Sequence, residues 1–357
     1  MLTAMPVTKG HEALIRFAAN YAVGTGGRLV VMLNTQPEEP AVNIRKRALN
    51  NFCKKLFREY GWAGSDEWEF KWVNETLEQD SSAPGFWDTW RVLLKYVAGW
   101  GHAGDVVITS DDYGRDVAAL FEGCRWVPFD GERSVVGTRG TSLRGPGGLR
   151  AGWSQVSDEF ARESRMKVTV FGAESCGKTT LARDLGTALR LSEGSWVPEW
   201  AREYLGRVDG RLSVEAMAEI WAGQKALQQT AWEVSRDWVV VQDTDLFSTV
   251  GYWDFWGGAE HGLPDRPVGL LSDAEYLKSD LYLLVSDNIP FESDPLRYGG
   301  DKREQDMEYW RGVCKRYGLP YRIISSTTQE GRLQEAAQIV MDYFDMTRNL
   351  VYTRRGQ

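Results

Sequence analysis

The chain has 357 residues, a formal net charge of −8 at pH 7, and 43% hydrophobic and 26% charged residues. That balance belongs to a folded globular protein long enough for two domains, and its negative excess excludes a general binder of nucleic acid or of an anionic membrane surface. With no run of 18 apolar residues, no secretory h-region at the start and no C-x-x-C spacing among Cys53, Cys124, Cys176 and Cys314, a cytoplasmic protein with reduced thiols is expected.

The first half alternates helices and strands. A helical pattern follows His11 through Ala13, Leu14, Phe17 and Tyr21, and Arg28 to Leu33 reads as a buried strand. Asn43 to Tyr60 reads as helix, Trp68 to Val73 as strand, Phe86 to Val97 as helix, Asp105 to Thr109 as strand and Tyr113 to Phe121 as helix. Such alternation predicts an α/β unit with a parallel sheet. Two places carry chemistry. Thr8, Gly10 and His11 stand at a helix start, where a hydroxyl, a glycine and an imidazole make a compact phosphate site. Ser110 and Asp111 stand at the end of a strand, where ligands sit in open α/β sheets.

Gly145-Pro146-Gly147-Gly148 is a breaker cluster, and Ser157 to Arg165 a short charged helix or linker. The expected division is 1–160 and 165–357. The second half opens on an apolar strand with Val168, Val170 and Phe171. Gly172-Ala173-Glu174-Ser175-Cys176-Gly177-Lys178-Thr179 follows, and then a helix with Leu181, Leu185 and Leu189 on one stripe. This is G-x-x-x-x-G-K-[ST] in its strand–loop–helix context, the phosphate-binding P-loop. Its backbone, with Glu174, Ser175, Cys176 and Thr180, is expected around the phosphates of ATP, Lys178 on the β- and γ-phosphates, and the Thr179 hydroxyl on Mg²⁺.

Beyond it, Ser195 to Pro198 reads as a strand ending at Glu199. A carboxylate at that point faces the acceptor in P-loop kinases, so Glu199 is the candidate general base and Arg202 a candidate substrate ligand. Ser213 to Arg236 is a long helix. Trp238 to Asp243 is an apolar run ending in an acid, with Asp243 the expected Mg²⁺ partner of Thr179 and Asp245 close behind. Asp280 to Val285 is a further strand, followed by a glycine-containing loop with Arg297 and Arg303 that suits a lid over ATP. Glu304 to Tyr317 reads as helix, Tyr321 to Ile324 as the last strand and Leu333 to Phe344 as the last helix, with a frayed tail from Thr347.

These motifs, in this order, resemble the bifunctional nicotinamide-nucleotide adenylyltransferase/ribosylnicotinamide kinase family. Pro6, Thr8, Gly10 and His11 match the second half of its G-x-F-x-P-x-[HT]-x-G-H loop. Ser110, Asp111, Tyr113 and Gly114 match S-[DE]-x-Y-G, and Asp130, Arg133, Thr141, Leu143 and Arg144 match D-x-x-R…S-x-T-x-[IL]-R, with Arg139 where the family usually has Ser. Arg45 and Arg47 match an R-x-R pair, and Trp87 and Trp90 a paired-tryptophan segment. In the second half the matches are Gly172 to Thr179, E-x-x-R-E-[YF] at Glu199 to Tyr204, D-T-D at Asp243 to Asp245, and N-I-P…D-x-L-R at Asn288 to Arg297.

The resemblance implies a nucleotidyltransferase-like Rossmann domain followed by a P-loop kinase domain. It implies ATP as co-substrate, Mg²⁺ as cofactor, and nicotinamide riboside and its mononucleotide as small-molecule partners, with no nucleic acid and no membrane; it allows a homo-oligomer. Thr8 and His11 would hold ATP phosphates, Thr141 and Arg144 the leaving group, and Trp87 would stack on the nicotinamide ring. The family's first strand and its G-x-F entry have almost no counterpart, because five residues precede Pro6, so a central strand is expected to be missing. Three other readings stay open: a kinase with a vestigial first domain, a non-catalytic NAD or ATP sensor, and a kinase for another nucleoside.

Overall fold

The structure, a computed structural model, describes residues 2–62, 64, 66–132, 137, 140–208, 213–257, 264–289 and 306–350. It forms two compact α/β units, one of Met1–Ser164 with Arg348–Gln357 and one of Arg165–Thr347. Arg348 to Leu350, expected with the second domain, group with the first unit.

The first unit runs α1 (Lys9–Thr25), β1 (Leu29–Thr35), α2 (Val42–Glu59), β2 (Trp68–Asn74), α3 (Phe86–Tyr96), β3 (Val106–Thr109), α4 (Tyr113–Ala119), β4 (Arg125–Pro128), α5 (Gly148–Ala151) and α6 (Asp158–Ser164). Its strands form two parallel pairs, β1 with β2 and β3 with β4, in separate two-stranded sheets. Among the described residues no strand joins the pairs. Leu2 alone takes up a strand position: its N–H donates to Met32 O and its carbonyl accepts from Asn34 N, both at 2.8 Å, in a parallel bridge to Leu33. Beside it an apolar cavity of about 140 Å³ is lined by β1 and β3. Met32 and Val107 share one buried cluster with Trp90 and Leu94, so side-chain packing spans the pairs.

The second unit runs β5 (Met166–Gly172), α7 (Lys178–Ala188), β6 (Trp196–Val197), α8 (Trp200–Arg207), α9 (Val214–Val234), β7 (Val239–Asp243), α10 (Leu246–Trp256), α11 (Val268–Leu277), β8 (Leu281–Val285), α12 (Met307–Arg316), β9 (Tyr321–Ile324) and α13 (Gln329–Thr347). Its five parallel strands lie in the order β6-β7-β5-β8-β9. All five residues of β7 and of β8 are buried, as strands covered on both faces are; β8 is apolar throughout, and β7 runs from three valines into Gln242 and Asp243. Three of its helices, α9, α10 and α12, start at a side-chain cap. Ser213 Oγ accepts from Ala216 N, Asp245 from Phe247 and Ser248 N, and Asp306 from Tyr309 N. β5 is central, so the loop that leaves its carboxyl end opens at the middle of the sheet edge, where α/β folds bind ligands.

Candidate functional site

The P-loop backbone has little freedom. Gly172 has φ 139°, and a Cβ there would stand 2.9 Å from the Val285 carbonyl oxygen on the neighbouring strand β8. Gly177, at φ 85°, is the N-cap of α7. The loop therefore passes close to β8 and turns into the helix with its amides at the N-terminus, as an anion cradle requires. Lys178, the first residue of α7, donates through Nζ to the Ala173 carbonyl at 2.7 Å, across the loop it belongs to. Cys176 is fully buried, its thiol donating to the same carbonyl at 3.0 Å. Glu174 and Ser175 lie in the loop, and Thr180 is exposed on the first turn of α7.

Asp243 ends β7, paired in register with Val170 of β5, which brings it beside the P-loop. Thr179 hydrogen-bonds its carboxylate. Burial, then the charge of Glu199, push the Asp243 carboxyl up to about 6, against the Thr179 hydroxyl and Lys178. Its Oδ1 is buried and meets no hydrogen-bond partner among the described residues. Glu199 stands at the end of β6 as the first residue before α8, with Oε2 3.8 Å from Arg202 Nε. Lys178, Thr179, Glu199 and Arg202 thus gather around Asp243 at one edge of one sheet. The proposed lid residues Arg297 and Arg303 lie outside the described residues, as does Arg133.

Asp245 is a correction. It sits in the core, 1% exposed, where it caps α10 and accepts from the Tyr282 hydroxyl at 2.7 Å. Burial pushes its carboxyl up to about 6. Its oxygens are committed to the fold and do not face a substrate.

Two residues near the loop carry no motif. Arg332, on α13 and 5% exposed, donates to Cys176 O (2.7 Å), Ser326 O (2.7 Å), Ser286 O (2.9 Å) and Asn288 Oδ1 (2.5 Å). One planar guanidinium thus ties the P-loop to the loops after β8 and β9. Gln224 of α9 accepts from Trp200 N at 2.9 Å and donates to Pro198 O at 3.4 Å, fixing the backbone on both sides of Glu199.

The first unit has its own cavity of about 440 Å³. Thr8, Gly10 and His11 line it at the start of α1, Ser110 and Asp111 at the end of β3, and Thr141 and Arg144 beyond β4. The Thr8 N–H donates to His11 Nδ1 at 3.0 Å, with the Thr8 hydroxyl 2.8 Å from the same nitrogen. Nδ1 is therefore the acceptor, and the neutral ring carries its proton on Nε2. Trp90 lines the cavity with Asn34 of β1, a residue no motif singled out.

Arg45 and Trp87 are corrections. Arg45 is fully buried and donates to Ala4 O at 3.1 Å, to Glu39 at 2.7 Å and to Thr3 O, outside the residues lining the cavity. It holds the segment leading to Thr8, and desolvation lowers its pKa against the pull of Glu39. Arg47 pairs with Glu163 at 2.8 Å. Trp87 packs edge-on against Phe86 at 4.9 Å in the apolar cluster, also off the cavity wall.

The fold and these sites define a two-unit α/β protein, a Rossmann-type unit followed by a P-loop unit. A family model described as an AAA domain matches residues 167–332. The chain has the fold of NadR proteins. It aligns with a NadR protein solved in complex with NR at 20% identity and TM-score 0.60, covering 96% of this chain and 94% of that one. It also aligns with a NadR protein in complex with NAD and AMP-PNP at 19% identity and TM-score 0.55, covering 100% of this chain and 96% of that one. No curated protein sequence matches it. Among the described residues no helix is long and apolar enough to cross a membrane.

Proposed function

We propose that the second unit phosphorylates the 5′-hydroxyl of nicotinamide riboside with ATP, and that the first unit adenylylates the mononucleotide so formed to NAD, releasing pyrophosphate. The observation that carries the reading is the convergence of Lys178, the hydrogen-bonded Thr179–Asp243 pair and Glu199 at the P-loop edge of the sheet.

In the kinase step the P-loop amides and Lys178 neutralise phosphate charge, Lys178 leaving the Ala173 carbonyl to do so. Glu199 takes the proton of the 5′-hydroxyl. The alkoxide oxygen bonds to the γ-phosphorus, the bond to the β–γ bridging oxygen breaks, and ADP leaves. Mg²⁺ fits the Thr179–Asp243 pair, because the buried Asp243 Oδ1 has no protein donor among the described residues. Thr179 and Asp243 would hold the ion, which screens the β- and γ-phosphates when bound. No group of three or more His, Cys, Asp or Glu capable of holding a metal occurs among the described residues.

In the adenylyl step the acceptor phosphate attacks the α-phosphorus of ATP directly. Thr8 and His11 at the α1 N-terminus would hold the phosphates, with Thr141 and Arg144 on the departing pyrophosphate. The gap between the two strand pairs favours a second reading in which only the kinase works.

The test incubates the full chain with ATP, Mg²⁺ and nicotinamide riboside and resolves the products. NAD supports both activities. The mononucleotide alone supports the kinase and refutes the adenylyl transfer, and neither product refutes the assignment. Lys178→Ala abolishes mononucleotide formation if the P-loop unit is the kinase.

A further inference from the structure

Helix α9 carries two buried glutamines one turn apart, Gln224 and Gln228, 2% and 5% exposed. Each accepts, through Oε1, the first amide of a helix that follows a strand of the kinase site. Gln224 accepts from Trp200 N at 2.9 Å, at the start of α8 directly after Glu199. Gln228 accepts from Leu246 N at 3.1 Å, at the start of α10 just beyond Asp243 and Thr244. Amides in the first turn have no partner within their own helix and must find one outside it. Asp245 takes the next two amides of α10, but the first amides of α8 and α10 both go to α9. Residues four apart in a helix share a face and stand about 6 Å apart along its axis, so one rigid element holds both strand ends.

Both strand ends need holding. β6 is two residues long and pairs with β7 through Trp196–Val241 and Val197–Gln242, so the ladder stops short of Glu199. Gln224 Nε2 also donates to the Pro198 carbonyl at 3.4 Å, which brackets Glu199 between two contacts of one side chain. Gly223 lets Trp200 close on α9: a Cβ there would stand 2.0 Å from the indole Nε1. On the other strand, Thr244 follows Asp243 with φ 67° and is 4% exposed. A β-branched residue in the left-handed region is strained and persists where its surroundings hold it. Glu199 and Asp243 are also close enough to act on one another as like charges, a repulsion that favours wider spacing.

Resting on the kinase reading above, we infer that Gln224 and Gln228 are positioning residues, through which α9 fixes the separation of the base Glu199 from the cation ligand Asp243. Gln224 acts through Glu199, because it ties the backbone on either side of that residue. Gln228 acts through Asp243, because it anchors the far end of the strained turn that follows it. In-line transfer needs the acceptor hydroxyl and the γ-phosphate in one geometry, and these two carboxylates set the two ends of that line. A shared helix keeps the ends from drifting independently.

The experiment follows mononucleotide formation by the full chain from ATP, Mg²⁺ and nicotinamide riboside, and separately titrates Mg²⁺ into its complex with a non-hydrolysable ATP analogue. Gln224→Met and Gln228→Met keep the side-chain length and remove the acceptor; each is checked for a native melting transition. Gln224→Met should lower kcat about 10²-fold with KM for ATP unchanged, as a small misplacement of a reacting group does. Added to Glu199→Gln it should cost nothing more, a result that a merely structural role would not give. Gly223→Ala drives Trp200 off α9 while keeping both glutamines, and should reproduce the loss of kcat. Gln228→Met should weaken Mg²⁺ binding about tenfold, as loss of a support behind a metal ligand does, and leave Mg²⁺-free analogue binding unchanged. The inference is overturned by wild-type kcat in Gln224→Met or Gly223→Ala, by an equal loss in the Glu199→Gln background, or by wild-type Mg²⁺ affinity in Gln228→Met. A wild type that forms no mononucleotide refutes the acceptor assignment alone, and the Mg²⁺ titration then decides the inference by itself.

Discussion

Replacing Arg332 by Leu tests whether one buried guanidinium sets the geometry of the P-loop. The substitution removes the donor from four acceptors at once. Two of them recover water: Asn288 is exposed and Ser326 is half-buried. The other two do not, since Cys176 is 0% and Ser286 7% exposed. Leaving two buried carbonyls unmet costs about 1–2 kcal/mol each, so the second unit should lose about 2–4 kcal/mol. For a unit of this size that lowers the melting temperature by about 5–15 °C. The Cys176–Gly177 backbone also loses its anchor, so affinity for an ATP analogue should fall about tenfold or more. Arg332→Lys should not restore it, because an ammonium cannot span acceptors on three loops. Calorimetric melting and titration with a non-hydrolysable analogue give both quantities. A Leu variant with wild-type stability and nucleotide affinity would refute the argument.

Glu199→Gln should lower the phosphoryl-transfer rate about 10²–10⁴-fold while nucleotide affinity changes little, as removal of a general base does; an unchanged rate under saturating acceptor would assign the proton elsewhere. Asp243 must be ionised to ligate a cation, and its carboxyl is pushed up to about 6, so Mg²⁺-dependent nucleotide binding should weaken about tenfold per pH unit below that value and level off above it. A flat profile from pH 5 to 8 would remove Asp243 from the metal site. Asp245 carries a carboxyl raised from 3.8 to about 6 in the folded state. The folded chain therefore holds that proton more tightly than the unfolded chain, and the group's contribution falls as pH rises through that window. Asp245→Asn cannot ionise and should gain on the wild type by about 1–3 kcal/mol between pH 4 and 7, read by urea unfolding; a constant difference would contradict the burial argument.

Sequence patterns reported the parts of the fold that depend on local rules. The P-loop was legible because its backbone needs glycine at Gly172 and Gly177 and its chemistry needs Lys178 and Thr179 beside them. Helices α10 and α11 were not read, and for α10 the reason is that eight of its residues are buried, leaving no polar face to give a period. The short strand β4 also went unread. Motif matches gave residue identity but not direction. Asp245 caps a helix two residues from an acid that faces the site, and Arg45 turns inward to hold the segment before Thr8. Arg332, Gln224 and Asn34 work through partners far away in sequence or through a cavity wall, and no local pattern announces them.

The cavity between β1 and β3 has a mechanical consequence. A sheet passes order from strand to strand through its ladder, yet here no strand joins the two pairs among the described residues, and packed side chains span them. Such halves are separable cooperative blocks, able to part at less than the free energy of global unfolding. The 440 Å³ cavity of the first unit draws its walls from both blocks, Asn34 on one and Ser110 on the other. A ligand that bridges them acts as a cross-link, and its binding energy is added to the cost of opening the seam. The first unit should therefore be loosest when empty and gain rigidity from any ligand that spans this cavity.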